Sequence, residues 1–192
     1  MPPKVKITKE EIISTALGLV RENGEGVLNA RSIAEALGCS TQPIFSNFAT
    51  MDEVRQAVIF SAYEHYRAYL KREVESDKYP KYKAFGMAYI RFAKEEKELF
   101  KLLFMRDRTG EDMSLSLDFE ESVQMIMAAN GISREKATLM HLEMWTCVHG
   151  IGTMLATSFL PLEWELISDI TSDVYQGIRA RYLSEEKQNE CN

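Results

Sequence analysis

The stretch Asn29–Phe48, NARSIAEALGCSTQPIFSNF, decides the fold. Ile33, Ala34 and Leu37 recur at helical spacing and give one apolar face, after which Gly38 can take the left-handed conformation that ends a helix. Ser40 is placed to cap a second helix, and Pro43 stands near its start, where a missing N–H costs little. Ile44, Phe45 and Phe48 supply the expected buried side of that helix and leave Thr41, Gln42, Ser46 and Asn47 pointing outward. Helix, tight turn, and a second helix with an uncommitted polar face is the helix-turn-helix arrangement, whose second helix reads base edges in the major groove.

From about Thr8 to Val54 the sequence resembles the DNA-binding domain of the tetracycline-repressor (TetR) family of bacterial transcriptional regulators. Ile12, Ala16 and Gly24 carry the resemblance in a leading helix, Arg31-Ser32-Ile33-Ala34 in the second, then Gly38-Cys39-Ser40 and Ile44-Phe45-Ser46-Asn47-Phe48. Three positions depart from the family: Phe45 replaces a usual Tyr, Asn47 a frequent His, and Met51 a usual Lys. In the family the Tyr hydroxyl and Lys ammonium commonly touch DNA phosphates, so the resemblance does not carry those two contacts here. It implies an all-α protein with a three-helix DNA-binding domain over residues 1–50 and a helical effector-binding and dimerisation domain over 51–192.

The face that this implies is specific. Thr41, Gln42 and Ser46 are expected at base edges, Gln42 favouring adenine through its bidentate amide. Arg31 and Asn47 are expected to hold the backbone, with Pro43, Phe45 and Thr50 on the same face. Arg31 falls in the first turn of its helix, where a phosphate could meet the side chain and the helix N-terminus; the alternative is a solvated arginine.

The net charge of −6 is at first sight wrong for a DNA binder, but it is unevenly spread. Residues 1–50 hold five basic and five acidic side chains, so the whole excess lies beyond them. The first nine residues carry Lys4, Lys6 and Lys9 and no acid, which suits either an arm lying along phosphates or a solubilising tail. The 192 residues are 45% apolar and 27% charged, ordinary for a globular chain with a real core. No run of about 18 apolar residues and no signal-peptide core occurs, so a cytoplasmic protein without membrane partners is expected. Cys39, Cys147 and Cys191 show no paired spacing and read as structural thiols.

In chain order, Thr8 with Glu11 forms a capping box for the first helix, and Asn23-Gly24 ends it. Thr50 and Glu53 open a long helix reaching about Glu75, whose first turn makes Thr50 and Arg55 candidates to replace a contact at Met51. Ser76 to Pro80 breaks it, and helical patterns follow over Lys97–Met105, Met113–Ala129, Ser133–Phe159 and Leu162–Leu183. Tyr63, Tyr66, Phe85, Tyr89, Phe92, Phe104, Met125 and Trp145 read singly as core. As a set they could line a cavity for a small, largely apolar effector, with His141, Glu143 or His149 as a polar anchor.

The last two helices are apolar over so much of their surface that a two-fold four-helix interface between copies is expected. Trp145-Thr146-Cys147-Val148-His149-Gly150 resembles a Trp…His-Gly signature of one C-terminal subgroup of the family. Gly150 and Gly152 each weaken a helix by about 1 kcal/mol relative to Ala, so they mark either the close approach of another helix or a kink. His141 and His149 lie about 80° apart around a helix and have no partner ligands, so no metal and no cofactor is expected. No nucleophile elbow, P-loop, dinucleotide fingerprint or paired catalytic carboxylates occur, so no enzyme is expected. The reading is therefore a homodimeric repressor on a near-palindromic double-stranded operator, released by a small effector. The alternative is a helical carrier or interaction module without specific DNA binding.

Overall fold

The computed structural model describes residues 7–109 and 119–190, with side chains through Ser184. Among them every regular element is helical. The chain divides into two compact units, Met1–Ala68 with Glu96–Arg106, and Tyr69–Glu95 with Asp107–Asn192.

In the first unit, α1 (Lys9–Asn23) opens on the expected capping box. Glu11 N–H donates to Thr8 Oγ1 at 3.1 Å, and Thr8 N–H to Glu11 Oε2 at 2.8 Å. Its buried stripe is Ile12, Ala16 and Val20. Gly24, at φ +80°, ends the helix where a Cβ would lie 2.8 Å from Glu98 Oε2. A 3₁₀ turn, Glu25–Val27, leads to α2 (Ala30–Ala36), which Asn29 caps by accepting from Ser32 N–H at 3.0 Å. Gly38 takes the left-handed conformation at φ +64°, as its place after the apolar face of α2 predicts.

The next helix, α3, runs over Gln42–Asn47, so the cap residue is Thr41 and not Ser40. The reason is Pro43. A cap at Ser40 would bond the N–H two or three residues on, and Pro43 removes the second of these donors. The helix instead starts on the Thr41 carbonyl, which accepts from Ile44 at 3.1 Å and Phe45 at 3.3 Å. Ile44 and Phe48 are buried, but Phe45 is 51% exposed, which corrects its assignment to the buried side. On so short a helix Ile44 and Phe48 already fill the inner arc, and Phe45 rotates out of it.

Thr50 caps α4 (Met51–Glu75), accepting from Glu53 N–H at 3.2 Å. Within the same unit α6 (Lys97–Phe104) packs on α1 through buried Leu99, Phe100, Leu102 and Leu103.

The second unit holds the end of α4, α5 (Lys81–Glu95), α7 (Phe119–Asn130), α8 (Arg134–Ala156) and α9 (Trp164–Glu190). The predicted start of α7 at Met113 lies outside the described residues. Ser133 caps α8 as predicted, accepting from Lys136 N–H at 3.3 Å. α8 packs against α5, α7 and α9 around Val123, Ile126, Ile132, Ala137, Met140 and Tyr182. The tight approach is at Gly86 of α5, where a Cβ would meet Val148 Cγ2 at 3.3 Å. At Gly150 a Cβ would meet nothing within 4 Å, so none of the described helices comes close there. α5 and α9 are tied by Lys83, whose ammonium donates to the Ser168 carbonyl, Ser168 Oγ and Ser172 Oγ at 2.7–3.0 Å.

Candidate functional site

The outer arc of α3 carries Thr41, Phe45, Gln42 and Ser46, all exposed. Among the described residues the Gln42 side chain enters no hydrogen bond, and Thr41 makes no side-chain capping bond, so both side chains keep their donors and acceptors. Ser46 donates to the Gln42 carbonyl at 2.9 Å and keeps its lone pairs. Asn47 is half-buried and gives both amide hydrogens to the protein, to Pro43 O at 2.8 Å and Ile7 O at 3.3 Å. Phosphate oxygens only accept, so Asn47 here staples the segment before α1 to α3. Pro43 is half-buried at the second position of α3, and Thr50, exposed, keeps a hydroxyl hydrogen to donate.

The cations of the first unit sort by partner. Arg55 pairs with Glu25, Arg67 with Glu64, Lys101 with Glu98, and the Lys9 ammonium sits 4.7 Å over the Phe48 ring. Arg31 is exposed in the first turn of α2 and has no carboxylate partner among the described residues. Lys4 and Lys6 lie outside the described residues. A cluster that no sequence spacing announced joins three elements. Glu96, 3% exposed, accepts from Arg21 Nε at 2.6 Å and from Arg21 Nη2, and lies 3.1 Å from His65 Nε2. Its burial works against the charged carboxylate, but the hydrogen bonds and charges of Arg21 and His65 outweigh it and hold the pKa below the usual range.

The aromatic set divides between the units. In the first, the Tyr63 and Tyr66 rings meet Phe104 edge-on at 6.1 and 5.4 Å. In the second, Phe92 is buried edge-on to Tyr69 at 5.2 Å, and Phe85 and Met125 are half-buried. Three of the expected residues come together: the Trp145 indole stacks on the His149 ring at 4.8 Å and 12°, and Tyr89 Oη lies 2.8 Å from His149 Nδ1. Burial, and secondly the charge of Arg108, lower the His149 pKa, which keeps the ring neutral at pH 7. A neutral imidazole held between a phenol and an indole can recognise a planar ligand by one hydrogen bond and one apolar face. His141 is held similarly, its Nδ1 3.1 Å from Tyr82 Oη, and burial lowers its pKa to about 4. Glu143 is engaged by Arg181 and, at 2.9 Å, by Tyr182.

Residues 82–169 match the family model of the tetracyclin repressor-like C-terminal domain. No curated protein matches the chain. The class is thus that of an all-helical chain in which a helix-turn-helix pattern precedes a tetracyclin repressor-like C-terminal domain. Residues 82–169 are similar to the C-terminal domain of TetR-family proteins, and the resemblance read from residues 8–54 points to the same family from a different part of the sequence. No helix among the described residues is long and apolar enough to cross a membrane.

Proposed function

We propose that this chain is a TetR-family regulator, a homodimeric, ligand-responsive repressor that inserts α3 of each copy into successive major grooves of a near-palindromic operator, about 34–36 Å apart. The observation that carries the DNA-binding reading is the outer arc of α3, where Thr41, Gln42 and Ser46 stand exposed with hydrogen-bonding capacity unspent. Arg31 of α2, without a carboxylate partner among the described residues, supplies the phosphate contact that Asn47 does not. Dimerisation through α8 and α9 is supported by exposed Leu139, Leu142 and Leu166, and by Phe159 and Leu160 in the connection between those helices. Leu139, Leu142, Thr146 and Gly150 recur at intervals of three and four residues and form one seam along α8. The effector is a small, largely apolar compound anchored at Tyr89, His149 and Trp145. Its binding favours a dimer whose heads no longer match the operator spacing, and DNA is released by population shift.

The test is a gel-shift titration at physiological salt, with DNA flanking the protein's own coding region against random DNA of equal length. Specific binding exceeds non-specific binding by about 10³-fold or more in such systems. Equal affinity for the two DNAs defeats the regulator mechanism proposed here. With a binding site in hand, Gln42→Ala is expected to cost about 1–3 kcal/mol and to relax preference at one base position in each half-site.

A further inference from the structure

We infer that Phe45 reads the C5-methyl group of a pyrimidine, thymine in ordinary DNA, at one position of each half-site. The inference rests on the reading of α3 as the base-contacting helix. At about 100° per residue Phe45 lies about 40° from Thr41 and about 60° from Gln42, inside the arc that ends at Ser46. Its ring is 51% exposed, whereas Ile44 and Phe48 beside it are buried. A single exposed ring is ordinary on a protein surface; this one stands in the middle of a polar reading face.

A phenylalanine ring in that place has no hydroxyl to donate, so it neither holds a phosphate nor bonds a base edge. Its own gain comes from leaving water against another apolar group. On the floor of the major groove that group is the C5-methyl of thymine, which neighbouring polar contacts at Thr41 and Gln42 would flank. The side chain thus adds a base preference at the position where the family resemblance gives a phosphate contact.

The experiment uses the full-length protein. A random duplex pool is first selected on it. In the enriched sequence each thymine is then replaced singly by deoxyuridine, which removes only the methyl group, and cytosine at the same position by 5-methylcytosine. Burial of one methyl corresponds to about fourfold in affinity per half-site and about fifteenfold when both half-sites are changed. One thymine per half-site is expected to show this loss, and 5-methylcytosine there is expected to recover part of it. Phe45→Ala should bind more weakly and lose the thymine–uracil difference, while Phe45→Leu should keep it. Circular dichroism checks that both variants fold.

A uracil effect below twofold at every position overturns the inference, as does an effect that survives in Phe45→Ala. Uniform weakening in Phe45→Ala without thymine dependence assigns the ring to the sugar-phosphate backbone, which also overturns it. A pool that enriches no sequence is a different failure: it removes α3 as a base reader, and this inference with it.

Discussion

Replacing Glu96 by Gln keeps the shape of the side chain and removes its charge, which isolates what the Arg21–Glu96–His65 cluster contributes. The carboxylate is buried, yet the Arg21 side chain is 55% exposed, so the guanidinium can return to water when its partner is neutralised. The loss is therefore that of charge-assisted hydrogen bonds, about 2 kcal/mol, rather than the 3–5 kcal/mol typical when a fully buried pair is broken. For a chain of this size that lowers Tm by about 4–8 °C. Because the folded-state pKa of Glu96 is depressed, its stabilisation is fully present above the unfolded carboxylate value near 4.3 and is lost as pH falls through the folded value. Thermal melts from pH 7 down to pH 3 should show the gap between wild type and Glu96→Gln closing with acid. Glu120→Gln, which breaks an exposed bidentate pair with Arg134, is the control and should leave Tm nearly unchanged at pH 7. A gap that is absent at pH 7, or that stays constant to pH 3, refutes the reasoning.

Other perturbations have equally definite outcomes. Arg91→Met leaves Glu73, 5% exposed, without its cation and removes the guanidinium stacked 4.2 Å over Trp164, so urea melts should show a loss of about 3 kcal/mol. The half-buried His141 titrates at about 4 when folded and near 6.5 when unfolded, so the unfolded state binds more protons and stability falls as pH drops from 6.5 towards 4. His141→Phe should flatten that slope in pH-dependent melts. Gly86→Val forces a side chain against Val148 and should destabilise by about 1–3 kcal/mol, seen as a lower urea midpoint. Gly150→Ala separates two cases: with none of the described residues nearby it should raise the stability of a monomer by about 1 kcal/mol, whereas beneath a second copy it should weaken the dimer in sedimentation equilibrium.

How much of this was legible depends on the range of the interaction concerned. Capping boxes, stop signals and apolar periods are local, and Thr8, Asn29, Gly38, Thr50 and Ser133 all act where their neighbours in sequence predict. The Ser40 cap failed on an equally local rule, the donor removed by Pro43, given too little weight. What no local pattern carries is pairing across long separations. Arg21 and Glu96 are 75 residues apart, and nothing in either neighbourhood joins Glu96–Arg106 to the first unit. The Tyr89–His149 bond spans 60 residues; the aromatic content there was visible, but not which three side chains would meet.

The charges show the same limit with a functional consequence. Counting gives equal numbers of acids and bases in the first fifty residues, which says only that the region is not repelled as a block. Pairing decides what is available to DNA. Glu25 takes Arg55, so a candidate phosphate contact is spent inside the protein, while Glu22 and Glu35 are exposed and Arg31 has no carboxylate partner among the described residues. A dimer that uses Arg31 twice should lose about 2 from the slope of log affinity against log salt in Arg31→Ala, and Arg55→Ala should leave that slope unchanged. The reverse result would mean that the Arg55–Glu25 pair opens on DNA, and that the intramolecular carboxylate competes with phosphate for the same guanidinium.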